Sequence, residues 1–133
     1  MYRYWEHYGR TGQTVRLGSH SLRVLHPGKL NLRCGPDYTG ARFQLDGVVC
    51  RGDVELHLTP DDWYVHGHHL DRAYAGVILH LVSGMNGCSG EEVRNNYLQE
   101  SILTLVLPPP KEVREPGQVH GRCQRAFQNR AEL

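Results

Sequence analysis

The chain is a succession of short segments that alternate apolar and polar residues, separated by glycine and proline. Thr14-Val15-Arg16-Leu17 and Ser21-Leu22-Arg23-Val24-Leu25 alternate about Gly18-Ser19, which predicts a β-hairpin ended by Pro27-Gly28. Ala41 to Asp46 alternates again, and Asp46-Gly47 predicts a turn into the clearest strand of the chain, Val48 to Leu58. In that strand Val54, Leu56 and Leu58 share one face, and Asp53, Glu55 and His57 share the other. Val77 to Val82 is a nearly continuous apolar run, as expected of a central strand covered on both faces. Ile102 to Leu107, stopped by Pro108-Pro109-Pro110, reads as the return strand of a hairpin with its tip at Ser83 to Gly90.

Helical signals are sparse. Tyr2 to Tyr8 predicts a short amphipathic helix before the Gly9 to Gly12 break. Thr59-Pro60-Asp61-Asp62 predicts a helix start, with Thr59 as N-cap and Pro60 in the first turn, lasting a turn or two before Gly67. Lys111 to Leu133 is polar and weakly periodic, which predicts a loose tail or a weak helix near Arg122 to Arg130. The expectation is one α/β (α+β) domain over residues 1–110, with a mixed, mostly antiparallel sheet, followed by a polar tail over 111–133.

Composition narrows this only modestly. A chain of 133 residues, 39% hydrophobic and 22% charged, fits one folded domain. No apolar run approaches the roughly 20 residues of a membrane span, and Met1 to Glu6 lacks a signal-peptide core, so the expected address is the cytoplasm. A net charge of +1 offers no global basic field, so any nucleic-acid partner needs a local groove. Cys34, Cys50, Cys88 and Cys123 form no CxxC pair, and free thiols are expected. Nine histidines are many for this length, and His57, His66, His68, His69 and His80 lie close together in sequence.

Chemistry concentrates in the strand that carries Asp53, Glu55 and His57. Two acids and an imidazole on one strand face give up ordinary packing there, so that face is either solvent or a site. Asp37 follows Pro36 at the start of the preceding hairpin arm, and antiparallel pairing can bring it to Glu55. Blander readings exist. Asp37 can be a turn residue capping local amides, the polar face can be the wet half of an amphipathic sheet, and His80 and Trp63 can be core residues.

The order Pro36-Asp37, strand, Glu55-Leu56-His57 resembles the PD-(D/E)xK nuclease superfamily over Gly35 to Leu58. The resemblance implies a restriction-endonuclease-like core and a Mg²⁺- or Mn²⁺-dependent phosphodiesterase acting on DNA or RNA. Asp37 and Glu55 would hold the metal, Asp53 would be a third acid, and His57 would position the attacking water. Lys29, Arg42 and Arg51 would meet the phosphate backbone, and Trp63 and Tyr64 would stack on an unpaired base. His57 stands where that superfamily usually has Lys, an imidazole in place of a fixed cation.

A longer resemblance runs to a bacterial domain-of-unknown-function family. It is carried by Pro27-Gly28-Lys29-Leu30-Asn31, Gly35-Pro36-Asp37-Tyr38, Gly52 to His57, Asp62-Trp63, His66-Gly67-His68-His69 and Ala73-Tyr74, and it extends through Leu79-His80. Members are generally longer, so these residues resemble the N-terminal part, and the family implies no reaction. The histidines support an alternative to the nuclease: a non-enzymatic binding or assembly module with a Zn²⁺ or Fe²⁺ site made from His57, His66, His68, His69 and His80, with Glu55 or Asp71 as carboxylate.

Overall fold

A computed structural model of the chain describes residues 1–85, 92–95 and 99–111. Helix α1 (Tyr2–Thr11) is followed by strands β1 (Thr14–Leu17), β2 (His20–His26), β3 (Lys29–Leu30), β4 (Tyr38–Leu45) and β5 (Val48–His57). A short helix α2 (Asp62–Val65) and two 3₁₀ turns (His68–Leu70 and Arg72–Tyr74) then lead to β6 (Val77–Val82), β7 (Glu92–Asn95) and β8 (Glu100–Val106). The strands form one mixed sheet in the order β1-β2-β4-β5-β6-β8-β7, with β3 paired to β4.

The pairings from β1 to β5 and between β7 and β8 are antiparallel, whereas β5-β6 and β6-β8 are parallel. The fold class is therefore α+β with a mostly antiparallel mixed sheet, as the alternation predicts. Both early hairpins form where the turn residues place them. Asp46 and Gly47, at φ 53° and 84°, supply the two left-handed residues that a tight twisted turn needs between β4 and β5.

Two local expectations are corrected. The run at Ile102 to Leu107 is not the return arm of a hairpin with Val77 to Val82, because β8 lies parallel to β6 and takes its antiparallel partner from β7. The helix after Thr59 starts later than its cap signal suggested. Asp61 occupies the N-cap position, and the Thr59 N–H donates to Asp62 Oδ2 at 3.2 Å, so the acid rather than the threonine organises the turn. The C-terminal tail lies outside the described residues beyond 111, as do Cys88 and Cys123. Cys34 and Cys50 are free.

One sheet face packs on α1. Trp5 and Tyr8 meet Leu22, Val24, Phe43, Val54, Leu56, Leu79, Leu81 and Leu105 in a single buried cluster. Leu17 of β1 and Leu105 of β8 belong to the same cluster although their strands lie far apart in the order, so the sheet curls around the helix. Tyr8 fastens this closure by donating its hydroxyl to Pro108 O at 2.8 Å. The opposite face is covered only in part. The β5-to-β6 crossover lays Trp63 and Tyr74 over Val77, Val93 and Ile102, and among the described residues no buried cluster forms on this face over β1, β2 and β4.

Candidate metal centre

The β4-β5 register decides how the acids meet. Tyr38 pairs with Val54, which sets Asp37 beside Glu55. The Asp37 N–H donates to Glu55 Oε1 at 3.0 Å, and the Leu56 N–H donates to Asp37 Oδ2 at 2.9 Å. From the other side of the strand end, the Tyr2 hydroxyl donates to Asp37 Oδ1. Both carboxyls are 5% exposed, so their charges are poorly screened and they respond in opposite directions. Burial, and then the Glu55 charge, push Asp37 up to about 8 against the pull of the Leu56 N–H. Burial also opposes ionisation of Glu55, but hydrogen bonds with His57 and His68 outweigh it and hold this carboxyl at about 2.

Two imidazoles converge on a single oxygen. His57 Nε2 lies 3.1 Å and His68 Nε2 3.2 Å from Glu55 Oε2, with the two rings stacked at a centroid distance of 5.1 Å. Gly67, at φ 73°, turns the chain between His66 and His68, and ligand atoms of His57, His66 and His68 all lie within 4.8 Å of one another. His57 and His68 are buried, whereas His66 is exposed at the mouth of the group. The His68 ring is fixed by stacking on Tyr74 at 3.7 Å and by the edge of Trp63 at 5.4 Å. Its buried Nδ1 has no hydrogen-bond partner among the described residues.

Behind His57 runs a relay. His57 Nδ1 is 2.7 Å from His80 Nε2, and His80 Nδ1 is 3.2 Å from Thr104 Oγ1. Burial, and then the charge of His57, lower His80 to about 3, so it is neutral and has one donor and one acceptor nitrogen. The relay therefore has a direction, and reversing it moves a proton between the two nitrogens of His57.

With this geometry in place, the comparison with known families is decisive. The chain belongs to the family described as protein of unknown function (DUF2851). The family model matches residues 4–124, nearly the whole chain, while no curated protein and no solved structure matches. Among the described residues, no helix is long and apolar enough to cross a membrane. Membership in DUF2851 assigns no reaction, so the chemistry must come from the residues themselves.

Within this DUF2851 chain the predicted residues divide sharply. Asp37, Glu55, His57, His66 and His68 come together. His80 joins them as the support of His57 and is fully buried, which unites its ligand-side and core readings. Asp53 shares the face but is turned away, its Oδ1 accepting the Gly40 N–H at 3.1 Å. His69 packs on Tyr64 at 5.0 Å, outside the cluster, and Asp71 caps the second 3₁₀ turn through the Ala73 N–H. Trp63 is a core anchor, its indole N–H donating to Arg94 O at 3.0 Å. Tyr64 is exposed, and its hydroxyl accepts the Arg94 N–H. Lys29 is exposed in β3, and Arg42 and Arg51 are exposed and directly opposed in β4 and β5.

The alternation correctly separates the faces of β5, but the polar face is interior rather than wet, and Leu58 is the exposed member of the apolar set at 65%. Three supporting residues escape sequence reading: Tyr2, Tyr74 and Thr104. Tyr74 is marked only as part of the Ala73-Tyr74 family motif, and Thr104 only as a lone hydroxyl in the apolar run of β8, which the structure sets in register with His80.

Proposed function

We propose that this chain is a transition-metal-dependent hydrolase of phosphodiesters, with Glu55, His57 and His68 as the metal ligands and His66 completing the set at the solvent edge. The reading rests above all on one observation: a buried, ionised Glu55 oxygen faces two imidazole nitrogens at 3.1 and 3.2 Å. Ligands at about 2.0–2.2 Å on one tetrahedral ion lie roughly 3.3 Å apart, close to these separations. The donor set is rich in nitrogen, which suits Zn²⁺ and related ions better than Mg²⁺, whose preference is for near-octahedral oxygen. Asp37, with both oxygens engaged by Leu56 and Tyr2, is assigned to holding Glu55 rather than to the metal.

A divalent ion held by Glu55, His57 and His68 would polarise a phosphodiester and lower the pKa of a bound water. Glu55 supplies the negative charge that retains it, and His57 turns its Nε2 lone pair inward when its Nδ1–H is donated to His80. His80 then passes its own Nδ1–H to Thr104, and such outer hydrogen bonds fix both tautomer and ring orientation. The phosphodiester class follows from the PD-(D/E)xK-like order of Asp37, Glu55 and His57, here with a histidine in the lysine place.

The test is to strip the protein with chelator, titrate Zn²⁺, Mn²⁺ and Mg²⁺ calorimetrically, and assay cleavage of single- and double-stranded DNA and RNA. The expected result is stoichiometric Zn²⁺ or Mn²⁺ uptake, cleavage only in the loaded protein, and loss of both in Glu55→Gln and His57→Ala. Absence of metal uptake by the native protein overturns the centre. Uptake without cleavage of any of these substrates overturns the hydrolase and leaves a metal-binding module.

A further inference from the structure

Over β1, β2 and β4 the site face has a chemistry of its own. Alternation along β1, β2, β4 and β5 puts Val15, Leu17, Leu22, Val24, Ala41 and Phe43 on the α1 side, so Arg16, Arg23, Arg42 and Arg51 project from the other side. All four are exposed. Arg42 and Arg51 are directly opposed in the β4-β5 register, a like-charge pairing that weakens a sheet. Among the described residues, none of the four makes an ion pair with a carboxylate. Asp53 accepts the Gly40 N–H, and Asp46 is held by His20 and the Ser21 N–H with the Arg16 charge also acting on it. Asp61, Asp62 and Asp71 stand on the crossover, so a net charge of +1 conceals a segregated surface.

We infer that this arginine face binds the phosphate backbone of a nucleic acid and leads it to Glu55. A row of exposed arginines on one face of the sheet, with no carboxylate in ion-pair contact among the described residues, is complementary to a polyanion, and guanidinium forks suit phosphate oxygens. Arg51 and Glu55 project from the same face of one regular strand, about 13 Å apart at 3.3 Å per residue, the length of roughly four stacked nucleotides. Contacts of this kind hold the backbone and carry no base sequence, so the recognition is of charge and register. The direction of the strand towards Glu55 rests on the phosphodiesterase reading, whereas binding itself does not.

The experiment measures fluorescence anisotropy of fluorescein-labelled, mixed-sequence DNA, as single strand and as duplex, with chelator present and salt varied between about 50 and 200 mM. For the single strand, log K is expected to fall against log salt with a slope of about −0.7 per arginine engaged, and each lost arginine to weaken binding about fivefold near 0.1 M salt. Arg42→Ala/Arg51→Ala is expected to halve the slope, and adding Arg16→Ala/Arg23→Ala to flatten it. Unchanged thermal unfolding of these surface variants certifies their fold. Binding that persists with chelator present separates failure of the metal centre from failure of this face. The inference is overturned if the native chain shows no salt-dependent binding, or if the four-arginine variant binds equally well. It is also overturned if phosphatidylglycerol vesicles bind through these arginines while oligonucleotides do not.

Discussion

The two faces of β5, β6 and β8 are buried to a similar degree and built from neighbouring residues, yet they hold opposite chemistry. Towards α1, Val54, Leu56, Leu79, Leu81 and Leu105 close on Trp5 with no carboxylate or histidine among the buried members of the cluster. One residue out of step, Glu55, His57, His80 and Thr104 close beneath Trp63, Tyr74 and His68. The first face stabilises in proportion to the apolar area removed from water, and no single contact in it is indispensable. The second depends on the pairing of its buried charge, Glu55 with His57 and His68, since an unpaired buried charge costs several kcal/mol. The difference teaches that burial alone does not identify a core. Here it encloses an acid-histidine cluster that an ion would complete.

The largest expected effect breaks the apolar side. Trp5→Ala removes a fully buried indole and its hydrogen bond to Pro27 O, and about 3–5 kcal/mol of stability should be lost in chemical denaturation whether or not Zn²⁺ is present. A loss that saturating Zn²⁺ abolishes would show that the two faces are not separable. Intermediate in size is the effect of His80→Ala or Thr104→Val, neither of which removes a ligand. Each should weaken Zn²⁺ affinity about 10- to 100-fold by freeing the His57 tautomer, read by calorimetry. Thr104→Ser should restore the native value.

The smallest effect concerns pH. The folded-state pKa of Asp37 lies above its ordinary value, so the metal-free native state keeps a proton that the unfolded chain has lost. Stability then falls as pH rises towards and through about 8. His80 and Glu55 have lowered values and contribute in the other sense at lower pH, and the Met1 amino group, lowered by burial, opposes Asp37 above about pH 6.5, so the difference between the native chain and Asp37→Asn isolates Asp37. Asp37→Asn should flatten the stability profile there in urea melts of the chelated protein, by a few kcal/mol at most. A native profile that falls no more steeply than that of Asp37→Asn across this window would contradict the carboxyl pairing.

Much of this was legible before folding. Alternation over Val48 to Leu58 and the Asp46-Gly47 turn were enough to assign β4 and β5 and to put Glu55 and His57 on one face, because a period of two leaves no other choice. The histidine cluster was visible as a density of residues, but not which members converge. His69 follows His68 directly and yet falls outside the cluster, since the 3₁₀ turn after Gly67 points neighbouring side chains apart. The parallel pairing of β6 and β8 was invisible, because strand direction is set by connections and by what covers each face rather than by local pattern.

By itself, then, the sequence determined the strands, their turns and the side of β5 on which the acids stand, all consequences of local backbone geometry. Only the tertiary structure decided that this side is interior and that Asp37 meets Glu55. It also decided that His68 arrives from the crossover to share the same oxygen as His57. Those outcomes depend on contacts between segments distant in the chain, where register and coverage, and not periodicity, choose the neighbours.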